Sequence, residues 1–186
     1  MAGVPVQTPS ETLTGQDLLR LGDLGPCELV DGRIVPMTPA VWKHGRIELR
    51  LAARLDDFVA SRGLGWVMTG EVGIYTRRDP DRVRGADIVF LSGARAPEEP
   101  SPGYLDTAPD LVAEIVSPSD RWQDVRQKIE EYFSIGVEQV WIVEPENRLV
   151  VVYSSSTAAT RYSEQDILLG TGAVTGFQLA VGDLFA

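Results

Sequence analysis

The chain reads as one domain of mixed helices and strands, and two observations shape that reading. Two long segments with apolar residues at helical spacing, about 42–62 and 121–135, sit among short apolar runs of strand character. Two of those runs, GADIVF at Gly85 to Phe90 and LVAEIVSPSD at Leu111 to Asp120, each carry one carboxylate inside an apolar strand, Asp87 and Glu114. An ionised carboxylate left unpaired in such surroundings costs roughly several kcal/mol, so each acid requires a partner. If the two converge, a cation is the simplest partner for both.

Taken in order, Thr14 is placed to cap a short helix through Leu21 within an N-terminal region of about 10–25. CELV, Asp31-Gly32 and RIVPM then read as a β-hairpin, with Asp-Gly supplying the positive φ angles of a tight turn and Pro36 marking an edge. From Trp42 to Arg62, Ile47, Leu51, Leu55, Phe58 and Val59 form one apolar stripe, with Lys43, Arg46, Arg50 and Arg54 together on another face. GWVMTG and VGIYT follow as one strand or a bulged pair around Gly70 and Glu71, and TRRDPDRVRG reads as a polar loop. A proline-rich stretch from Ala94 to Pro109 is long enough for a covering loop or flap. After the Glu114 strand, Ser119 or Asp120 is placed to cap a helix with the stripe Trp122, Val125, Ile129, Tyr132 and Phe133, ended by Gly136. QVWIVEP and RLVVVYS are two more core strands, and 154–186 is a C-terminal extension of weaker strand signals.

With 186 residues and 44% hydrophobic content, the chain supports one filled core and a single domain over 1–186. No membrane span or secretory pattern is evident, which predicts a cytoplasmic protein. One cysteine, Cys27, excludes an internal disulfide and a Cys-based zinc site, and one histidine excludes a multi-histidine centre within one chain. Net charge is −10 but segregated: Lys43 to Arg84 holds nine basic residues against six acidic, while the part after Phe90 holds fifteen acidic against six basic. The basic part offers candidate nucleic-acid contacts in Lys43, Arg46 and Arg50 on the helix face and in Arg77, Arg78 and Arg82 in the loop. A solvated helix face is the competing reading of the first three.

Lys128 lies about 60° from Val125 around the second helix, at the border of its buried stripe. If that helix packs beside Asp87 and Glu114, two anionic ligands and one cation meet. That composition suits phosphodiester hydrolysis with Mg²⁺, or Mn²⁺ in its place, the lysine orienting or deprotonating water and offsetting charge on phosphorus. The competing reading is a buried ion pair between Lys128 and one carboxylate. Glu28, His44 and Glu71 are secondary candidates: an arginine partner or further ligand, a core histidine or water-orienting group, and a bulge residue aimed inward or outward. Trp66, Trp122 and Trp141 read as core. Ser117 lacks a nucleophile elbow and any evident coupling to the histidine, and no GxxxxGK loop or organic-cofactor motif is present.

The succession ELVDGRIV at Glu28 to Val35, His44 heading a long helix, Asp87 in its strand, AEIVSPS at Ala113 to Ser119, Lys128 with Tyr132, and GVEQVWIVEP at Gly136 to Pro145 resembles the Uma-type restriction-endonuclease family of the PD-(D/E)XK nuclease superfamily. The resemblance runs from about Cys27 to Tyr153. It implies a restriction-endonuclease-like α/β core with a central mixed β-sheet flanked by helices, and Asp87 and Glu114 as the metal-binding acids. Two positions depart from the superfamily pattern: Ala86 stands where proline is usual, and Val116 where the lysine is usual. Lys128 matches a lysine moved to the following helix. The implied activity is a Mg²⁺-dependent endonuclease acting on DNA, as a homodimer because cutting a duplex takes two sites. The rival is a binding module that keeps the fold without the reaction.

Overall fold

A computed structural model of the chain describes residues 12–98 and 102–186. Thr14 caps α1 (Gly15–Arg20) in a reciprocal box with Asp17, each backbone N–H bonded to the other's side chain. The hairpin of β1 (Cys27–Val30) and β2 (Arg33–Pro36) turns at Asp31 and Gly32, both at positive φ, and β2 lies at the sheet edge as Pro36 predicts. α2 (Trp42–Arg62) has the expected bounds and buries every residue of its expected stripe, together with His44. It stops at Gly63, in the left-handed region.

β3 (Gly65–Arg77) and β4 (Arg82–Ser92) form a long hairpin with a register shift between Thr69 and Val72, where Gly70 and Glu71 take positive φ. Arg82 and Arg84, expected in a loop, are therefore strand residues and buried. β3 lines one edge of β4 along its length. The other edge is shared: β1 pairs at Val83 and β5 (Leu111–Ile115) pairs from Ile88 to Phe90. Between those partners the sheet forks, and Gly85 to Asp87 lie in the fork.

β5 and β6 (Gln139–Glu144) are parallel and joined through α3 (Trp122–Ser134), while β7 (Leu149–Tyr153) and β8 (Ala159–Ser163) continue the sheet antiparallel. The eight-stranded sheet is mixed, in the order β2-β1-β4-β5-β6-β7-β8 with β3 beside β4. Alternate residues of β5 and β6 face opposite layers. Ala113, Ile115, Trp141 and Val143 pack with α2, and Val112, Val140 and Ile142 pack with α3. Each valine and isoleucine among them contributes about 1.5–3 kcal/mol on full burial.

The C-terminal residues cover α2. β9 (Ile167–Leu169) and β10 (Gln178–Ala180) pair with each other, and Phe177 meets Phe58 edge-on at 5.5 Å. The second half of the proline-rich stretch is not a flap: Leu105 exchanges hydrogen bonds with Gly73 and Tyr75, extending the outer edge of β3. Neither Ser119 nor Asp120 caps α3. Arg121 takes the cap position without a side-chain bond, and Asp120 accepts from the Ser117 N–H at 2.7 Å. Trp66 and Trp122 are nearly half exposed, and of the three tryptophans expected inside, Trp141 is the buried one. Cys27 is half-buried. Among the described residues no helix is long and apolar enough to cross a membrane.

Candidate metal centre in the sheet fork

Asp87 stands at the fork, 4% exposed. Its Oδ2 accepts the Ile115 N–H at 2.7 Å, tying β4 to β5 beyond the last paired residues, and its Oδ1 meets His44 Nε2 at 3.1 Å. Glu48, one turn along α2 from His44, lies 4.0 Å from the same nitrogen and accepts from the Gly70 N–H at 3.3 Å. One donor atom each from His44, Glu48 and Asp87 falls within 4.8 Å of the others. The i, i+4 spacing explains how one helix delivers two donors to one point. Glu71 joins from the bulge, its Oε2 reaching to within 2.7 Å of where a side chain on Gly85 would begin.

Glu114 lies beside Ile115 and turns toward α3. Its Oε1 accepts from Tyr132 Oη at 2.6 Å and from Lys128 Nζ at 3.5 Å. Lys128 also donates to the Gly85 carbonyl at 3.0 Å and pairs with Glu28 Oε1 at 2.9 Å. Glu28 accepts the Gly85 N–H at 3.1 Å and Arg84 Nη1 at 2.7 Å. Side chains thus take over both backbone groups of Gly85 where β1 and β5 part. Arg84 is clamped in turn by Glu131, which also receives Arg82, Gln127 and Thr76.

Electrostatics differ across the fork. The Asp87 hydrogen bond raises the His44 pKa above the ordinary imidazole value despite its burial. Burial, and then the charge of Asp87, raise Glu48 and Glu71 above the usual carboxylate range. Burial also pushes Glu114 up to about 8, with Asp87 adding to the effect and Lys128 and Tyr132 opposing it. Burial alone would depress Lys128, yet Glu114 and Glu28 outweigh it and hold the ammonium above the ordinary lysine value. At neutral pH Lys128 is therefore a cation suited to stabilising negative charge. It is poorly suited to removing a proton.

The structure thus brings Asp87, Glu114, Lys128, Glu28 and His44 together, with Glu71 at the rim. Glu48 was missed, although its spacing from His44 was available in the sequence. Ser117, set aside for want of a link to histidine, does have one: its Oγ lies 3.3 Å from His44 Nδ1.

The basic residues are less uniform. Arg82 is buried against Glu131 and Asp31. Arg46 and Arg50 donate to the Ala186 carbonyl, and Arg50 also to that of Asp183 at 3.0 Å. Arg77 pairs with Asp31. Arg78 stacks on Tyr75 and pairs with Asp106 at 2.7 Å. Lys43, in the first turn of α2 with His44, meets Glu146 at 3.6 Å, and its neighbour Trp42 is 79% exposed.

Residues 16–182 match the family model described as "Uma2: Putative restriction endonuclease". The chain belongs to that family. The match extends past the Cys27–Tyr153 stretch on which the resemblance rested, taking in β8 and most of the covering that packs on α2. A crystal structure of a "putative nuclease belonging to DUF820" from Anabaena variabilis is similar in fold, with a TM-score of 0.77 and 23% identity over 93% of this chain and 97% of that one. No curated protein is significantly similar.

Proposed function

We propose that the chain is a divalent-metal-dependent endonuclease of the PD-(D/E)XK type that hydrolyses phosphodiester bonds in DNA. The observation that carries this reading is the convergence of His44, Glu48 and Asp87 donor atoms beside a Glu114–Lys128 pair. The donor set fits a cation: two carboxylates suit Mg²⁺ or Mn²⁺, and the added imidazole shifts the match toward Mn²⁺. Asp87 would hold it, with Glu48 and His44 on one side and Glu114 on the other. Bound there, the cation would polarise a phosphoryl oxygen and make water a better nucleophile at neutral pH.

The chain's own groups supply the rest. Lys128, kept protonated by Glu28 and Glu114, offsets the charge that builds on the phosphoryl oxygens. Tyr132 holds Glu114 in one orientation through its hydroxyl. Ser117 holds the far nitrogen of His44, steadying the ring that faces Asp87. Exposed Trp42 and half-buried Lys43, on the same helical turn as His44, offer a base-stacking surface and, in exchange for Glu146, a phosphate contact. Cutting both strands of a duplex takes two such sites, which favours a homodimer.

The test is nicking of supercoiled plasmid with Mg²⁺, Mn²⁺ or chelator, beside Asp87→Ala. Metal-dependent nicking that falls at least roughly 10³-fold in the variant supports the reading, since the ligand acts in the transition state. Activity surviving in Asp87→Ala, or no cleavage of DNA by wild type, counts against it. The second outcome favours a binding module on the same fold.

A further inference from the structure

An ammonium has three donors, and the three acceptors around Lys128 are Glu28, the Gly85 carbonyl and Glu114. Glu28 is the nearest of them, at 2.9 Å, whereas Glu114 stands at 3.5 Å. Glu28 is itself immobilised: its Oε1 also takes the Gly85 N–H, and its Oε2 takes Arg84, which Glu131 grips through Nε at 2.7 Å and Nη2 at 2.9 Å.

Such an anchor has a physical purpose here. Lys128 comes from a helix on a four-carbon stem that carries about 2 kcal/mol of rotamer freedom, and it must reach a point in the sheet fork. We propose that Glu28 is a positioning residue for Lys128, fixing its ammonium against the Gly85 backbone so that one N–H remains directed at Glu114 and the reacting phosphate. This rests on the nuclease reading of the site. Arg84 and Glu131 act one step further back by fixing Glu28.

The chain has just two lysines, Lys43 and Lys128. Labelling lysine side chains with ¹³C and ¹⁵N therefore gives two sets of NMR signals, and Lys43→Arg assigns them. Glu28→Gln keeps the acceptor for the Gly85 N–H and removes the charge. In this variant the Lys128 signal should shift and sharpen toward that of a free lysine. Plasmid nicking should lose about 10- to 100-fold in kcat, as for partners that orient a reacting group, with KM and cation affinity unchanged. Glu28→Gln added to Lys128→Met should cost nothing beyond Lys128→Met alone.

An unmoved Lys128 signal in folded Glu28→Gln, or a double variant that suffers both losses in full, would overturn the assignment. If Glu28→Gln does not fold, Glu28→Asp is read the same way, because it keeps the charge but withdraws it by one methylene. The NMR result also separates the two claims. A displaced signal in a protein that cuts nothing supports the Glu28 anchor while contradicting the nuclease reading, and the converse result sinks the anchor alone.

Discussion

On the α3 side of the fork the charges close on themselves, whereas on the α2 side they do not. Lys128, Arg84 and Arg82 are interleaved with Glu114, Glu28, Glu131 and Asp31, each cation lying between carboxylates. Facing them, Asp87, Glu48 and Glu71 gather around one imidazole, and Glu48 and Glu71 are driven above the ordinary carboxylate range by burial and by Asp87. The first arrangement pairs its cations internally, and only Glu114, raised to about 8 by burial, stands at its border with the second. The second is a negative pocket, and a divalent cation is the partner that would neutralise it.

The largest effect in this comparison is expected from breaking the closed side. Burial opposes the charge of Glu131, but Arg84, Gln127 and Arg82 outweigh it and hold its pKa below 4.5. A carboxylate depressed by folding stabilises the protein fully above that ordinary value, and the contribution is lost as pH falls through the folded value. Glu131→Gln should therefore cost about 1.5–3 kcal/mol at pH 7, because it takes one of two carboxylates from both Arg84 and Arg82, leaving them Glu28 and Asp31. The gap to wild type should narrow below about pH 4.5 in chemical denaturation. A gap independent of pH would mean that the network does not depend on the Glu131 charge.

On the open side, Glu48→Gln should leave folding intact and weaken Mn²⁺ binding about 10- to 100-fold by calorimetry. Stronger binding, or a loss of stability without loss of affinity, would move the cation away from α2. The smallest effect belongs to Ser117. Removing its hydroxyl in Ser117→Ala loosens His44 without touching Asp87, and nicking should fall less than about tenfold. Loss to the level of Asp87→Ala would instead make Ser117 part of the chemistry, in a chain running through His44 to Asp87.

How much of this was legible depended on whether the signal was local. α2 was readable to its ends because the stripe from Ile47 to Val59 is periodic and Gly63 stops it. Asp87 and Glu114 stood out as carboxylates inside apolar strands, and Lys128 as a cation at the border of a buried stripe. The start of β4 was misread because Arg82 and Arg84 look like loop residues until Glu131, 49 and 47 residues further on, is brought against them. Glu48 and the Ser117–His44 contact were hidden for a similar reason. The i, i+4 spacing of His44 and Glu48 puts both on one helix face, but that this face meets Asp87 and Ser117 follows only from where α2 crosses the fork. Residue type for Trp66, and a place at the first turn of the α3 stripe for Trp122, cannot tell a buried ring from one at the border of a packed layer.

Cation binding at the open side of the fork, coupled to catalysis, is what Asp87 and the α2 donors are proposed to provide. Its most direct measurement is Mn²⁺ titration of wild type and Asp87→Asn by calorimetry, with plasmid nicking followed on the same samples. Saturable binding in wild type that rises in step with nicking, with loss of both in Asp87→Asn, is the expected result. Equal Mn²⁺ affinity in the two proteins, or nicking unchanged by chelator, would contradict it.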